Sequence, residues 1–133
     1  MKRNILICDD EKNIRGGLAQ AMELEGYESI EAVDGRQAWD IINKTGVDLV
    51  ITDLRMPNMS GEELLKKISS AYPRMPVIIL TGHGTIETAV QAMRGGAVDF
   101  FTKPVDLDRL SLVVKKALSD TDLYAEHERL KEE

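Results

Sequence analysis

Five polar side chains follow directly on runs of apolar residues, and their types suit one kind of chemistry. Asp9 and Asp10 come after Ile5-Leu6-Ile7-Cys8, Asp53 after Leu49-Val50-Ile51-Thr52, Thr81 after Val77-Ile78-Ile79-Leu80, and Lys103 after Phe100-Phe101-Thr102. Carboxylates brought within a few ångströms of one another repel, so they either share a proton or bind a cation. Hard oxygen donors, few in number and with room for water, suit Mg²⁺ better than Zn²⁺. The single cysteine, Cys8, and the two histidines, His83 and His127, are too scattered for a zinc centre. A cation held there would draw in a phosphoryl group, with Lys103 on one oxygen and a Thr81 hydrogen bond on another. One carboxylate left free to attack phosphorus would yield an aspartyl phosphate. Taken singly, each residue has an ordinary role: Asp10 as a helix cap, Thr81 in a turn, Lys103 snorkelling at the surface. Their joint placement after four separate runs is the signal.

Those runs read as strands. Three of them are apolar at every position, so both faces must be covered, which points to a parallel sheet between layers of helix. Tyr27 to Ala32 is a more polar, peripheral strand, and Phe100-Phe101-Thr102 is the fifth. Helical spacing fills the gaps: Ile14, Leu18, Ala21 and Met22; Ala38, Ile41 and Ile42; Leu64, Leu65, Ile68 and Ala71; Ile86, Ala89, Val90 and Met93; Leu110, Val114, Ala117 and Leu118. Ser60-Gly61-Glu62-Glu63 has capping-box form, Asp34 with Gln37 a looser version, and Gly26, Gly46 and Gly95-Gly96 stand where helices should stop. Five strand–helix repeats make a doubly wound α/β domain, in which every parallel strand ends on the rim where ligands bind.

The bulk numbers exclude several classes. A chain of 133 residues fits one domain, and 43% hydrophobic residues with 30% charged describe a soluble globular protein. A net charge of −6, with Lys66-Lys67 and Lys115-Lys116 as the clearest basic pairs, gives no footprint for nucleic acid or an anionic membrane. No apolar stretch suits a signal peptide or membrane span, and the lone Cys8 fits a reducing compartment, so a cytoplasmic location is expected. Nothing basic lies beside Cys8 to activate it, and a small buried hydrophobe is expected there. From Ser119 onward acidic residues dominate, and Leu123 and Leu130 stand one heptad apart. This tail reads as an extension of the last helix, too short in repeats to establish a coiled coil.

The segments Cys8-Asp9-Asp10-Glu11, Thr52-Asp53-Leu54-Arg55-Met56-Pro57-Asn58-Met59-Ser60-Gly61, Leu80-Thr81-Gly82-His83-Gly84 and Phe100-Phe101-Thr102-Lys103-Pro104 together resemble the receiver domain of bacterial two-component response regulators, over residues 3 to 118. The resemblance implies a flavodoxin-like five-stranded sheet in the order 2-1-3-4-5, with helices on both faces and a cis bond between Lys103 and Pro104. It implies that Asp53 is the phosphoacceptor, Asp10 a direct Mg²⁺ ligand, Asp9 a ligand partly through water, and the Arg55 backbone carbonyl a further ligand. Lys103 and Thr81 would contact the phosphoryl group. Thr81 would couple to Phe100, where the family often has tyrosine, and Arg55 and His83 would set the phosphate's lifetime.

The partner so implied is a sensor histidine kinase, with Mg²⁺-dependent self-phosphorylation and slow autodephosphorylation in place of turnover. Thr81 to Val90 with Gly95-Gly96-Ala97 most resembles receivers of the nitrogen-regulation type, which often precede a sigma-54-activating ATPase domain and a DNA-binding domain. Residues 1–118 are then the receiver, and 119–133 an acidic extension or linker toward an output domain. A homodimer is possible on this reading, and direct nucleic-acid or membrane binding is not expected. The alternative is a degenerate receiver acting as an interaction module without phosphorylation, against which the intact acidic and lysine set argues. An aspartate-nucleophile phosphatase would want two aspartates separated by one residue after the first strand, where Asp9 and Asp10 are adjacent. A flavin carrier would want a hydroxyl-rich loop where Asp9 and Asp10 stand, and the only tryptophan, Trp39, falls in a helix.

Overall fold

Alternation along each strand decides which helices cover which face of the sheet. The computed structural model describes residues 2–132. Its elements are β1 (Asn4–Cys8), α1 (Lys12–Leu24), β2 (Glu28–Ala32), α2 (Gly35–Lys44), β3 (Leu49–Asp53), α3 (Gly61–Ala71), β4 (Val77–Thr81), α4 (Ile86–Arg94), β5 (Asp99–Thr102) and α5 (Leu107–Glu132). All pairings are parallel and the order is β2-β1-β3-β4-β5. Ile5, Ile7, Leu49, Ile51, Ile78 and Leu80 pack against Leu18 and Met22 of α1 and Leu110 and Val114 of α5. Their neighbours Leu6, Cys8, Val50, Val77 and Ile79 point the other way, onto Ala38 and Ile42 of α2, Leu64 and Ile68 of α3, and Ala92 of α4. Burying each of these aliphatic side chains contributes about 1.5–3 kcal/mol, and that two-sided burial is why these strands read as unbroken apolar runs.

Two of the polar residues at the ends of the apolar runs, Asp53 and Thr81, are themselves strand residues. The ladder runs on through Asp53, opposite Leu80, and through Thr81, opposite Thr102. The register of the central strands, once set by apolar packing, therefore fixes where those two side chains emerge.

Helix starts follow the expected chemistry with local changes. Asp34 caps α2 by accepting from the Gln37 amide, but Gln37 Oε1 accepts from Val33 N, one residue before the cap. Ser60 caps α3 by accepting from the Glu63 amide, and the return bond of a full capping box is not formed. The complete box belongs to Thr85 and Thr88 at α4, where two threonines do the work of the usual Ser/Thr–Glu pair.

The α4 stripe departs from expectation. Ile86 is 86% exposed, Val90 41% and Met93 47%, and Ala92 is the fully buried residue of the helix. The helix lies beside the short edge strand β5, so it meets the sheet through small residues while its large apolar ones face outward. α5 continues without a break past Leu118 to Glu132, and Arg3 at the foot of β1 pairs with Asp122 on the extension. The side chains of His127 and Leu130 lie outside the described residues, and with them the heptad partner of Leu123.

Candidate functional site

The carboxyl ends of β1, β3, β4 and β5 bring the five residues to one rim. Asp9 follows β1 and is fully buried, Asp10 beside it is exposed, and Asp53 ends β3 with 7% of its surface accessible. Carboxylate oxygens of the three lie within 4.8 Å of one another. Lys103, just beyond β5, places Nζ 2.8 Å from Asp9 Oδ2 and 3.3 Å from Asp53 Oδ2. The Lys103–Pro104 bond is cis. Thr81 closes β4, nearly buried, and its hydroxyl oxygen accepts from the His83 amide at 3.2 Å.

Three carboxylates thus face one ammonium, which leaves the cluster short of positive charge. Burial and then the charge of Asp9 push the Asp53 carboxyl above its ordinary range, and Lys103 and the Leu54 amide offset this in part. For Lys103, burial alone would lower the pKa, but Asp9 and Asp53 together outweigh it and the net shift is upward. Asp9 Oδ2 is buried with no hydrogen-bond donor in line with it, although Lys103 Nζ lies close. A buried carboxylate oxygen whose one close cation, Lys103, is shared with Asp53, set beside two further carboxylates, fits a hard divalent cation, whose charge and oxygen preference match the donor set.

The scaffold around Asp53 is tight. Leu54 N donates to Asp53 Oδ1 at 2.9 Å, and Gly61 N donates to the Leu54 carbonyl at 2.9 Å. A Cβ on Gly61 would lie 2.2 Å from the Asp53 carbonyl oxygen, so the start of α3 can approach the end of β3 only without a side chain. Gly61 has no positive φ, so its requirement is spatial; the sequence showed it only as part of a cap. The loop from Leu54 to Ser60 is held from outside by Asn58 Nδ2 donating to Asp34 Oδ2 at 2.7 Å, and by Gly35 N donating to the Met59 carbonyl. Asn58 carries a φ of 68°, a left-handed conformation that asparagine tolerates well.

The remaining expected residues lie around this rim. Arg55 is exposed on the loop after β3, and His83 is exposed after β4. Phe100 is half-buried and packs into the α2–α3–α4 core. A Cβ on Gly84 would lie 2.3 Å from Thr102 Cγ2, 3.2 Å from the Phe100 ring and 3.4 Å from Thr81 Cγ2, so glycine lets this loop touch all three. Cys8, behind the site against Met56 Sδ at 3.2 Å, is buried and its thiol is pushed up to about 12 by burial; it is packing, not chemistry. Two concavities of about 640 and 500 Å³ lie at the opposite ends of the strands, around Arg74 and Thr121.

Comparison with known proteins agrees with this fold. Residues 5–115 match the response regulator receiver domain family, and the chain belongs to that family. It is 46% identical over 114 residues to the regulatory protein AtoC of Escherichia coli, covering 86% of this chain and 25% of that protein. It is 42% identical over 130 residues to a putative NtrX-like response regulator of Rickettsia bellii, covering 96% of this chain and 27% of that protein. Among solved structures, NtrX from Brucella abortus superposes with a TM-score of 0.89 at 40% identity, over 98% of this chain and 30% of that one. A receiver domain protein from Clostridium thermocellum superposes with a TM-score of 0.86 at 35% identity, over 92% and 98%. The chain therefore spans about a quarter of the length of the curated relatives it matches. Among the described residues no helix is long and apolar enough to cross a membrane.

Proposed function

We propose that this domain takes a phosphoryl group from the phosphohistidine of a sensor histidine kinase onto Asp53, and that the modification switches its outer surface. The observation that carries the reading is Lys103 bridging Asp9 and Asp53 inside a carboxylate cluster short of positive charge. Asp10, Asp53, Asp9 and the Arg55 carbonyl would hold Mg²⁺. Bound there, Mg²⁺ supplies positive charge to the phosphoryl oxygens during transfer.

The residues of the chain supply the rest. An oxygen of Asp53 attacks phosphorus, the bond from phosphorus to the kinase imidazole nitrogen breaks, and its electron pair returns to that nitrogen, which takes up a proton. The backbone bond from Leu54 N to Asp53 Oδ1 leaves the other oxygen, Oδ2, as the attacking atom, on the side facing Lys103. Lys103 then moves from pairing with Asp53 to pairing with the phosphoryl group, and Thr81 donates its hydroxyl proton to a phosphoryl oxygen. Positioning and charge account for catalysis of this type, with little demand for acid–base groups.

The switch is the movement of Thr81. Its hydroxyl now accepts from the His83 amide; turning toward phosphate breaks that bond and frees space against Phe100 and Gly84, biasing a two-state equilibrium of α4 and β5. Arg55 and His83 flank the rim and govern water access, hence the phosphate's lifetime. If small residues at both positions left dephosphorylation unchanged, that assignment would fall. The exposed Ile86, Val90 and Met93 of α4 with Leu112 of α5 form the surface for a second copy or an output domain. Residues 1–118 act as the receiver, and the α5 extension through 119–133 leads toward ATPase and DNA-binding domains of a cytoplasmic sigma-54-dependent regulator.

The test is incubation with acetyl phosphate and Mg²⁺ followed by intact-mass measurement at short times, with EDTA and Asp53→Asn samples alongside. One added phosphoryl group, absent from both controls, is expected. No adduct and no beryllofluoride binding would leave an interaction module that works without phosphorylation.

A further inference from the structure

The loop that carries Asp9 and Asp10 into the site is held by an arginine that touches neither carboxylate. Arg15, on the first turns of α1, donates from Nη1 to the backbone carbonyl of Asp9 at 2.9 Å and from Nε to Glu31 Oε1, on β2, at 3.0 Å. Its side chain is 13% exposed although the residue is charged. The rest of Asp9 is also engaged: its amide donates to the Ala32 carbonyl, Oδ1 accepts from Glu11 N, and Oδ2 faces Lys103. Asp10 differs. Its carboxylate is exposed and makes no hydrogen bond or ion pair among the described residues. The α1 N-cap, Glu11, makes no side-chain capping bond of its own, and at that end, among the described residues, the loop is tied only through the Glu11 amide on Asp9 Oδ1.

We infer that Arg15 is a positioning residue for cation binding: by locking the Asp9 carbonyl, it fixes the Asp9–Asp10 peptide and so the place from which the Asp10 carboxylate reaches the cluster. The carbonyl of Asp9 and the nitrogen of Asp10 share one planar unit, so holding the oxygen sets the direction in which the chain leaves toward Asp10 Cα. Glu31 holds the guanidinium from β2, across the sheet edge, and a planar fork that serves two acceptors at once is a geometry lysine cannot reproduce. Residues that orient metal-binding groups without touching the metal matter to affinity in this way. The inference rests on the Mg²⁺ reading above.

The experiment measures the dependence of melting temperature on Mg²⁺ concentration, with no phosphodonor present, for the wild-type domain, Arg15→Met, Arg15→Lys, Glu31→Gln and a core control, Ile42→Val. The expected result is an apparent Mg²⁺ dissociation constant roughly 10-fold weaker or more in Arg15→Met. Arg15→Lys recovers part of it, and Glu31→Gln loses part. The double variant Arg15→Met with Glu31→Gln is no worse than Arg15→Met, because Glu31 acts through Arg15. Ile42→Val loses stability without metal yet keeps the wild-type constant, which separates positioning from general loosening of the fold. A wild-type constant in Arg15→Met overturns the inference. Should Arg15→Met fail to fold, a wild-type constant in Glu31→Gln, altered on a residue with 46% of its side chain exposed, overturns it equally. A wild-type domain that shows no Mg²⁺-dependent shift removes the metal reading itself, and the inference with it.

Discussion

Asp53 and Lys103 carry opposite consequences for stability, and both follow from their surroundings. Asp53 has a raised pKa, through burial first and then the charge of Asp9. An acid raised in the folded state binds its proton more tightly folded than unfolded, so stability falls as the pH rises past the ordinary value, about 4, and stays lower above the raised one. Asp53→Asn, free of metal, should therefore melt at a higher temperature than the wild type at pH 7, with the gap closing below about pH 4. Equal melting temperatures at pH 7 would show that the native state does not feel the repulsion. Lys103 is raised in spite of its burial, so its contribution is present below about pH 10 and is lost above its folded pKa. Lys103→Met strips Asp9 of its cation and should cost on the order of 3 kcal/mol in metal-free urea unfolding at neutral pH. Added Mg²⁺ should recover part of that loss.

At the level of elements, the three central strands were legible in the sequence because burial on both faces leaves them almost wholly apolar until the rim. The rim placement of the candidate residues was legible for a related reason: Asp9, Asp53, Thr81 and Lys103 stand at or just beyond the ends of four strands, with Asp10 next to Asp9. What the sequence hid is contact between distant segments. Gly61 looks like part of a cap until the Asp53 carbonyl is seen beneath it, and Arg15 looks like a solvated helix residue until Glu31 and the Asp9 carbonyl are seen to hold it. The α4 stripe misled because periodicity reports an apolar face, not what covers it, and at the sheet edge little does. Two substitutions separate cap from contact at α3. Ser60→Ala removes one capping bond and should cost about 1 kcal/mol in denaturant unfolding. Gly61→Ala forces the start of α3 off the end of β3, costs about 1–3 kcal/mol, and also slows phosphorylation from acetyl phosphate because Asp53 shifts with it. Phosphorylation of Gly61→Ala at the wild-type rate would show that the close approach is not needed at the site.

Across the whole molecule, the carboxylate cluster and the exposed apolar residues of α4 and α5 occupy different regions. The acidic rim lies at the carboxyl ends of the strands, and the exposed apolar residues Ile86, Val90, Met93 and Leu112 lie on α4 and α5. Replacing Ile86 and Leu112 with serine should change the stability of the isolated domain by no more than about 0.5 kcal/mol each, as for other exposed positions. The same changes should weaken self-association after phosphorylation, read by sedimentation with and without beryllofluoride. The central claim is narrower: one carboxylate of three is the acceptor. Acetyl phosphate treatment with Mg²⁺, rapid borohydride reduction of the acyl phosphate to an alcohol, and peptide mass spectrometry locate it directly. Homoserine at position 53, with Asp9 and Asp10 intact, is the predicted result. Homoserine at position 9 or 10, with Asp53 unmodified, would contradict it.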